Sequence, residues 1–345
     1  MTIKSALTTL TQGENLSLAQ AEEVMEEIMS GGASEAQIAG LLIALRMKGE
    51  TVDEIAGFAR SMRKNAVVVP SSHPVLLDVC GTGGDSRRTF NISTAAAIVI
   101  AAAGVPVAKH GNRSVSSKCG SADVLERLGV RFDLTPQEIG QCIDEVGIGF
   151  LYAPHLHPAM RHAIGPRREM GVRTVFNILG PLTNPAGANV QLLGVYRPGL
   201  TTVVAKVLHT LGCQGAFVVH GGDGLDELST TGTNRITELR ENQINTYSLD
   251  PRDLGLPPAT LSDLQGGDAE ENAAIITQIL AGERGPKRDI VLLNAAYGLV
   301  LGKVAANISE GLQQAAWAID SGAARETLAS LVSFTQERSK SDDPR

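Results

Sequence analysis

Aromatic side chains are scarce in this 345-residue sequence: seven Phe, four Tyr and one Trp make up 3% of it. So few rings give little of the stacking platform on which nucleic-acid bases lie. Cysteine is sparse too. Cys80, Cys119, Cys142 and Cys213 stand far apart with no C-x-x-C pair, which excludes a disulfide framework and a cysteine metal site and fits reduced thiols in the cytoplasm. Basic charge is in deficit, with 30 Lys and Arg against 37 Asp and Glu and a net charge of −7; this argues against a general nucleic-acid partner. Long apolar runs are missing as well. The longest, from Ala95 to Ala108, contains Gly104 and Pro106 and is too short to span a bilayer. Glu14, Glu22 and Glu23 arrive before any long apolar core, so no signal peptide is expected. No internal repeat or low-complexity tract is visible. What remains is ordinary globular composition, 43% hydrophobic and 19% charged, in a chain long enough for two domains.

The feature that stands out is Asp78-Val-Cys-Gly-Thr-Gly-Gly-Asp85, set between a short apolar segment and an alanine-rich helix candidate. Three glycines in four positions allow a tight turn that exposes consecutive N–H groups, with no Cβ atoms in the way of a ligand. Such a loop feeding a helix start suits an anion, phosphate above all. Three further polar clusters, Lys109-His-Gly-Asn-Arg113, Gly120-Ser-Ala-Asp123 and His220-Gly-Gly-Asp-Gly-Leu-Asp-Glu227, carry groups suited to phosphates and a divalent metal. The first and third read as loops.

Residues 1–65 read as helices. Ser17 with Gln20, Ser34 with Gln37 and Thr51 with Glu54 each fit a capping box. Their apolar faces exceed what such short helices can hide among themselves, so they must pack on the rest of the chain or on a second subunit. From residue 75 strands alternate with helices: strand 75–79, helix 92–103, strand 105–108, helix 121–128, a helix opened by Thr135-Pro136, strand 148–151, and a polar helix over 154–170. The turn-rich 177–185 breaks the pattern and passes between domains. Strands 191–195 and 215–219 flank a helix at 201–211, residues 230–249 read as antiparallel strands, and four helices follow from about 270. This order implies a largely parallel sheet with ligands beyond the carboxyl ends of its strands.

As chemistry, Asp85 lies too near an anion site to help by charge alone; it would bridge through a metal or bind sugar hydroxyls or backbone. Asn91, Ser93 and Thr94 open the next helix, where a cap and a phosphate ligand look alike. Lys109 and Arg113 are cations for phosphate oxygens, and Ser114, Ser116, Ser117 and Ser121 add hydroxyls. Adjacent Asp226 and Glu227 offer the hard oxygen donors that Mg2+ shares with substrate phosphates, with Asp223 a weaker candidate. His110 reads as a pocket wall and His162 as structural. No Ser–His–Asp or Cys–His arrangement stands out.

Taken together, Gly81-Thr-Gly-Gly-Asp85, Asn91-Ile-Ser-Thr94, Lys109-His-Gly-Asn-Arg113, Gly120-Ser-Ala-Asp123, Asn177-Ile-Leu-Gly-Pro-Leu182 and Asp226-Glu227 resemble the anthranilate phosphoribosyltransferase family, in the same order and over nearly the full length. The resemblance implies an α/β fold like that of the pyrimidine nucleoside phosphorylases. A small all-helical domain, 1–70 with a return segment near 170–190, would sit beside a larger α/β domain, 71–345, with a mostly parallel sheet flanked by helices. It also implies a cytoplasmic homodimer paired through the helical domains. The activity implied is Mg2+-dependent transfer of the 5-phosphoribosyl group from phosphoribosyl pyrophosphate to the amine of anthranilate, the second step of tryptophan biosynthesis from chorismate.

Carried over by position, the donor site would comprise Gly81, Gly84, Asp85, Thr89, Asn91, Ile92, Ser93, Thr94, Lys109, His110, Gly111, Asn112, Arg113, Ser114, Val115, Ser116, Ser117 and Ser121. Ser93, Asp226 and Glu227 would serve a pair of Mg2+ ions per subunit. Gly81, Asn112 and Arg167 would receive anthranilate, with His110 and His157 around its approach. No general base is implied; positioning and leaving-group stabilisation carry the reaction. One departure is Ser86-Arg87-Arg88 where the family has glycine after the loop aspartate, a change expected to stiffen or re-aim the loop without altering the activity. The rival readings are a pyrimidine nucleoside phosphorylase, which needs no acidic pair, and an idle nucleic-acid-binding relative, which would have lost Asp85, Asp226 and Glu227. No membrane or nucleic-acid partner is expected.

Overall fold

The computed structural model describes residues 1–85, 87–114 and 118–339. Four helices open the chain: α1 (Ile3–Thr11), α2 (Leu18–Met29), α3 (Glu35–Lys48) and α4 (Val52–Lys64). All four start in capping boxes, the three expected ones and Thr2 with Ser5. In each, the cap oxygen accepts an N–H that the helix itself cannot pair. The α1 box escapes a sequence reading because its third residue is Ser, not Glu or Gln. Glu54 does more than cap. Fully buried, it accepts the Leu16 and Thr51 N–H groups at 2.9 and 2.8 Å and the Lys48 ammonium at 3.0 Å, which supplies the partners that a buried charge requires.

The α/β part runs β1 (Leu77–Gly81), α5 (Ile92–Ala102), β2 (Val107–Gly111), α6 (Ser121–Arg127), α7 (Pro136–Val146), β3 (Ile148–Tyr152), α8 (Ala153–Leu156), α9 (Arg161–Met170), α10 (Phe176–Leu179), β4 (Val190–Gly194), α11 (Leu200–Thr210), β5 (Gly215–Gly221), β6 (Asn234–Arg240), β7 (Gln243–Leu249) and α12 to α15 (Ala269–Leu280, Pro286–Leu301, Ile308–Asp320, Ala323–Arg338). One seven-stranded sheet has the order β3-β2-β1-β4-β5-β6-β7. The first five strands pair in parallel and the last two antiparallel. Glu241 and Asn242, with φ of 51° and 63°, make the two-residue turn between β6 and β7, as a right-twisted hairpin requires.

Alternate residues of the strands feed two cores. Leu192, Phe217 and Val219 face α13 and share its core with α5 and α15. Leu193, Val195, Ala216 and Val218 face the opening helices, α11 and the segment Val175–Leu182. Residues 175–182 pack into the same core as the N-terminal helices. They also cover much of the apolar surface that the sequence left without a partner.

Three expectations shift. Two of the polar clusters begin inside strands: Lys109, His110 and Gly111 belong to β2, and His220 and Gly221 to β5. The loop thus starts later than polarity suggests, because backbone pairing with β3 and β6 carries the strands on. Residues 154–170 are not one helix; Pro158 opens a separate 3-10 turn, Pro158–Met160, between α8 and α9, since proline cannot donate the bond that would continue α8.

Candidate active site

Strands β1, β2, β4 and β5 each end on a glycine, Gly81, Gly111, Gly194 and Gly221. Gly81 and Gly194 sit opposite each other in the β1–β4 ladder. A Cβ on either would collide with Asp226, with its carboxylate at Gly81 and its carbonyl at Gly194. The acidic loop therefore rests directly on the end of the sheet. Gly83 N–H donates to Asp226 Oδ2 at 2.6 Å, which joins the glycine loop to the carboxylate.

Carboxylates are crowded here. Burial, then the charge of Asp85, pushes Asp226 up to about 7. Burial, then Asp226, pushes Glu227 up to about 8. Beneath them, buried Asp78 accepts His110 N–H at 3.2 Å and is raised by burial to about 6. Asp223 is occupied elsewhere, accepting Ser229 Oγ at 2.7 Å and the Thr231 hydroxyl at 2.5 Å.

Lys109 is not an open cation. It is 2% exposed, and its ammonium donates to the Val79 carbonyl at 2.6 Å and to Ser93 Oγ at 3.3 Å. Burial draws its pKa down while Asp78, Cys80 and Glu227 oppose that. Ser93 also lies close enough to Glu227 to favour its charged form, so its hydroxyl stands between the two charges. Asn91 precedes α5 without capping it; its side chain instead ties the Cys119 carbonyl to Asn272. The first turn of α5, with Ile92, Ser93 and Thr94, thus lacks a side-chain cap, and the buried Thr94 hydroxyl has no partner among the described residues. Those are the terms on which a helix start receives an anion. Thr89 is held from outside by a bridge to Gln265.

Arg113 is engaged too. Its guanidinium bonds Asp123 at 3.0 Å and Glu126 at 2.8 Å, and these carboxylates hold its pKa above the usual range. A phosphate would have to compete with them. Asp123 also accepts Ser114 N–H and Gly120 N–H, so in the Gly120–Asp123 cluster the carboxylate staples a loop. Asn112 accepts Ser121 Oγ through its carbonyl at 3.3 Å. Val115, Ser116, Ser117 and Ser86 lie outside the described residues. Arg87 packs its guanidinium over Gly224 of the acidic loop.

Three of the acceptor candidates, Arg167, His110 and His157, lie against residues 176–183. Arg167 stacks on Phe176 at 4.9 Å. Burial lowers its pKa, and among the described residues no carboxylate pairs with it. The His110 and His157 rings lie 5.1 Å apart and take backbone partners at Gly180 and Thr183 respectively. Each Nε2 is buried without a partner among the described residues. No hydrogen bond joins Arg167 to Asn112 or to either ring. His162 packs on Gly31. Arg173 escaped notice in the sequence, where nothing separates it from any other exposed loop arginine; it bonds the Gly84 carbonyl.

The histidine pair gives a pH prediction. Burial holds His110 at about 3 and His157 at about 4, below the ordinary value of 6.5, so both rings stay neutral in the folded protein while the unfolded chain takes up protons. Their contribution is fully present above pH 6.5 and is lost as pH falls from there towards 4, at about 1.4 kcal/mol per pH unit for each ring. Urea denaturation of His157→Gln between pH 7 and 5 should show a slope shallower by about that amount. An unchanged slope would mean that the folded ring protonates normally.

A magnesium ion fits this donor set. Among the described residues no three His, Cys, Asp or Glu form a cage for a metal. What is present, Asp226, Glu227 and the Ser93 hydroxyl beside a phosphate-ready helix start, suits an ion that keeps its waters and shares substrate phosphates. The crowding that lifts both carboxyls is what a divalent cation would relieve.

The glycosyl transferase family helical-bundle domain matches residues 4–66 and the glycosyl transferase family a/b domain matches residues 73–325. The anthranilate phosphoribosyltransferase of Pelotomaculum thermopropionicum is 60% identical over 96% of both chains. The crystal structure of anthranilate phosphoribosyltransferase from Thermus thermophilus superposes with a TM-score of 0.92 at 46% identity, covering 96% of this chain and 99% of that one. The enzyme from Saccharomyces cerevisiae in complex with PRPP and Mg gives 0.88 at 30% identity, covering 97% and 98%. With the helical bundle, the seven-stranded sheet and the acidic loop seated on its glycines, these likenesses show that the chain belongs to the anthranilate phosphoribosyltransferase family.

Proposed function

We propose that the chain carries out the family reaction on the residues assembled above, transferring the 5-phosphoribosyl group of phosphoribosyl pyrophosphate to the amine of anthranilate. The observation that carries this reading is Asp226 bonded to the glycine loop, with Glu227 and Ser93 beside the uncapped start of α5. The bond from the anomeric carbon to pyrophosphate breaks, pyrophosphate leaves with the electron pair, and the amine nitrogen bonds that carbon and then sheds a proton. Asp226, Glu227 and Ser93 would hold a pair of Mg2+ ions, which supply charge stabilisation for the departing pyrophosphate. The loop N–H groups and the first turn of α5 hold phosphate oxygens. Lys109 fixes Ser93 from beneath. Arg167 faces the anthranilate carboxylate, and the two neutral rings line its approach. Pyrophosphate release from phosphoribosyl pyrophosphate, dependent on both anthranilate and Mg2+, tests the reading; release with orthophosphate and a nucleoside instead would favour a phosphorylase.

The same reading places the protein in the cytoplasm, divides the chain near residue 70 with a return at 170–190, and makes it a homodimer. Met47 at 83% exposure and Val172 at 45% support pairing through the helical side, where they flank the bond from Arg46 to the Arg173 carbonyl. Analytical ultracentrifugation should find a dimer at micromolar concentration, and Met47→Glu should shift it towards monomer. A monomeric wild type would reject the pairing.

A further inference from the structure

Arg173 lies beyond the family motifs, in the turn between α9 and α10, yet it touches three parts of the molecule. Its guanidinium donates to the Gly84 carbonyl. The same group stacks on the Tyr196 ring, 4.6 Å from its centroid, just after β4. Its own carbonyl accepts Arg46 Nη1 from α3 at 2.6 Å. We infer that Arg173 is a positioning residue for phosphoribosyl pyrophosphate, acting through the Gly84–Asp85 peptide; the inference rests on the function proposed above.

The physical argument is peptide planarity. In a trans peptide the carbonyl and the following N–H point in opposite directions in one plane. Fixing the Gly84 carbonyl on a cation therefore aims the Asp85 N–H to the far side of that plane. Among the described residues no acceptor takes that N–H. Gly84 needs such a tether, because with φ of +77° and no side chain it is free to flip its peptide. A Cβ there would also stand 2.9 Å from the guanidinium, so a larger residue would push Arg173 off its present position. Tyr196 holds the guanidinium plane from one side, and the Tyr196 N–H donates to the Thr82 hydroxyl of the same loop at 3.2 Å. The loop is thus anchored twice from residues 173–196. Arg46 extends the chain of contacts to the helical bundle, and Arg167 sits six residues upstream in α9, so donor loop and acceptor helix share one connecting turn.

The test is isothermal titration of the full-length protein with phosphoribosyl pyrophosphate and Mg2+, together with steady-state kinetics for anthranilate at saturating donor. Arg173→Leu should weaken donor binding about 10- to 100-fold, the worth of one charge-assisted contact, and leave the anthranilate KM near the wild-type value. Arg173→Lys should recover part of the loss, since an ammonium reaches the carbonyl but lacks the planar group for Tyr196. Arg197→Leu, on the same ring at 5.3 Å, should bind donor as the wild type does. Unchanged donor affinity in Arg173→Leu overturns the assignment. So does equal weakening by Arg197→Leu, which marks a general charge effect, or joint weakening of both substrates with a fall in Tm, which marks a structural role. Donor binding without anthranilate turnover in the wild type would defeat the proposed acceptor while the titration still decides Arg173. Failure of the wild type to bind donor would defeat both.

Discussion

Asp226→Asn combined with Glu227→Gln is expected to fold as the wild type does and to lose at least about 100-fold in turnover, the scale on which removal of a preorganised charge stabiliser acts. Folding should survive because the pair is strained in the bare protein. Burial and mutual repulsion with Asp85 lift both carboxyls to about 7 and 8, so neutral isosteres relieve an unfavourable charge. Asparagine also keeps an oxygen to accept Gly83 N–H. Turnover should fall because, among the described residues, Asp226 is the carboxylate that takes the Gly83 N–H, and Glu227 stands next to it. Thermal denaturation with and without Mg2+ separates the two effects: the ion with phosphoribosyl pyrophosphate should raise Tm for the wild type and not for the variant. Near-normal turnover of the double variant at limiting Mg2+ would show that the ion is held elsewhere.

Arg167→Ala should raise the anthranilate KM about 10- to 150-fold and leave the donor KM nearly unchanged. The guanidinium is half-buried on the Phe176 ring with no carboxylate partner among the described residues. A desolvated cation of that kind is an unfilled position for a planar anion, which it can meet with two parallel N–H bonds. Arg168, next in sequence, is exposed, and Arg168→Ala should change neither constant. Equal rises in both KM values, or a larger effect at Arg168, would assign the carboxylate to general electrostatics or to the neighbour.

Local chemistry was legible in the sequence and partner choice was not. Ser17, Ser34 and Thr51 announce their helices because a capping box spans four residues. The glycine loop and Asp226-Glu227 announce themselves by composition. By contrast, whether Arg113 faces a phosphate or Asp123 and Glu126 depends on where α6 starts relative to β2. The depth of Lys109 depends on strand pairing that extends β2 into a polar run. Arg173 has no local signal at all, since its three contacts come from residues 46, 84 and 196. The apolar excess of the first four helices was visible, but its cover proved to be α9, α11 and the segment Val175–Leu182, a pairing across more than a hundred residues.

The facing glycines at the ends of β1 and β4 carry a consequence for how this site tolerates change. Asp226 is located by main-chain atoms: it rests on Gly81 and Gly194, and its carboxylate takes the Gly83 N–H. Its coordinates are therefore tied to the ends of the sheet as well as to the core residues Leu225 and Leu228 on the same loop. A side chain at Gly81 or Gly194 would displace the carboxylate or its backbone directly.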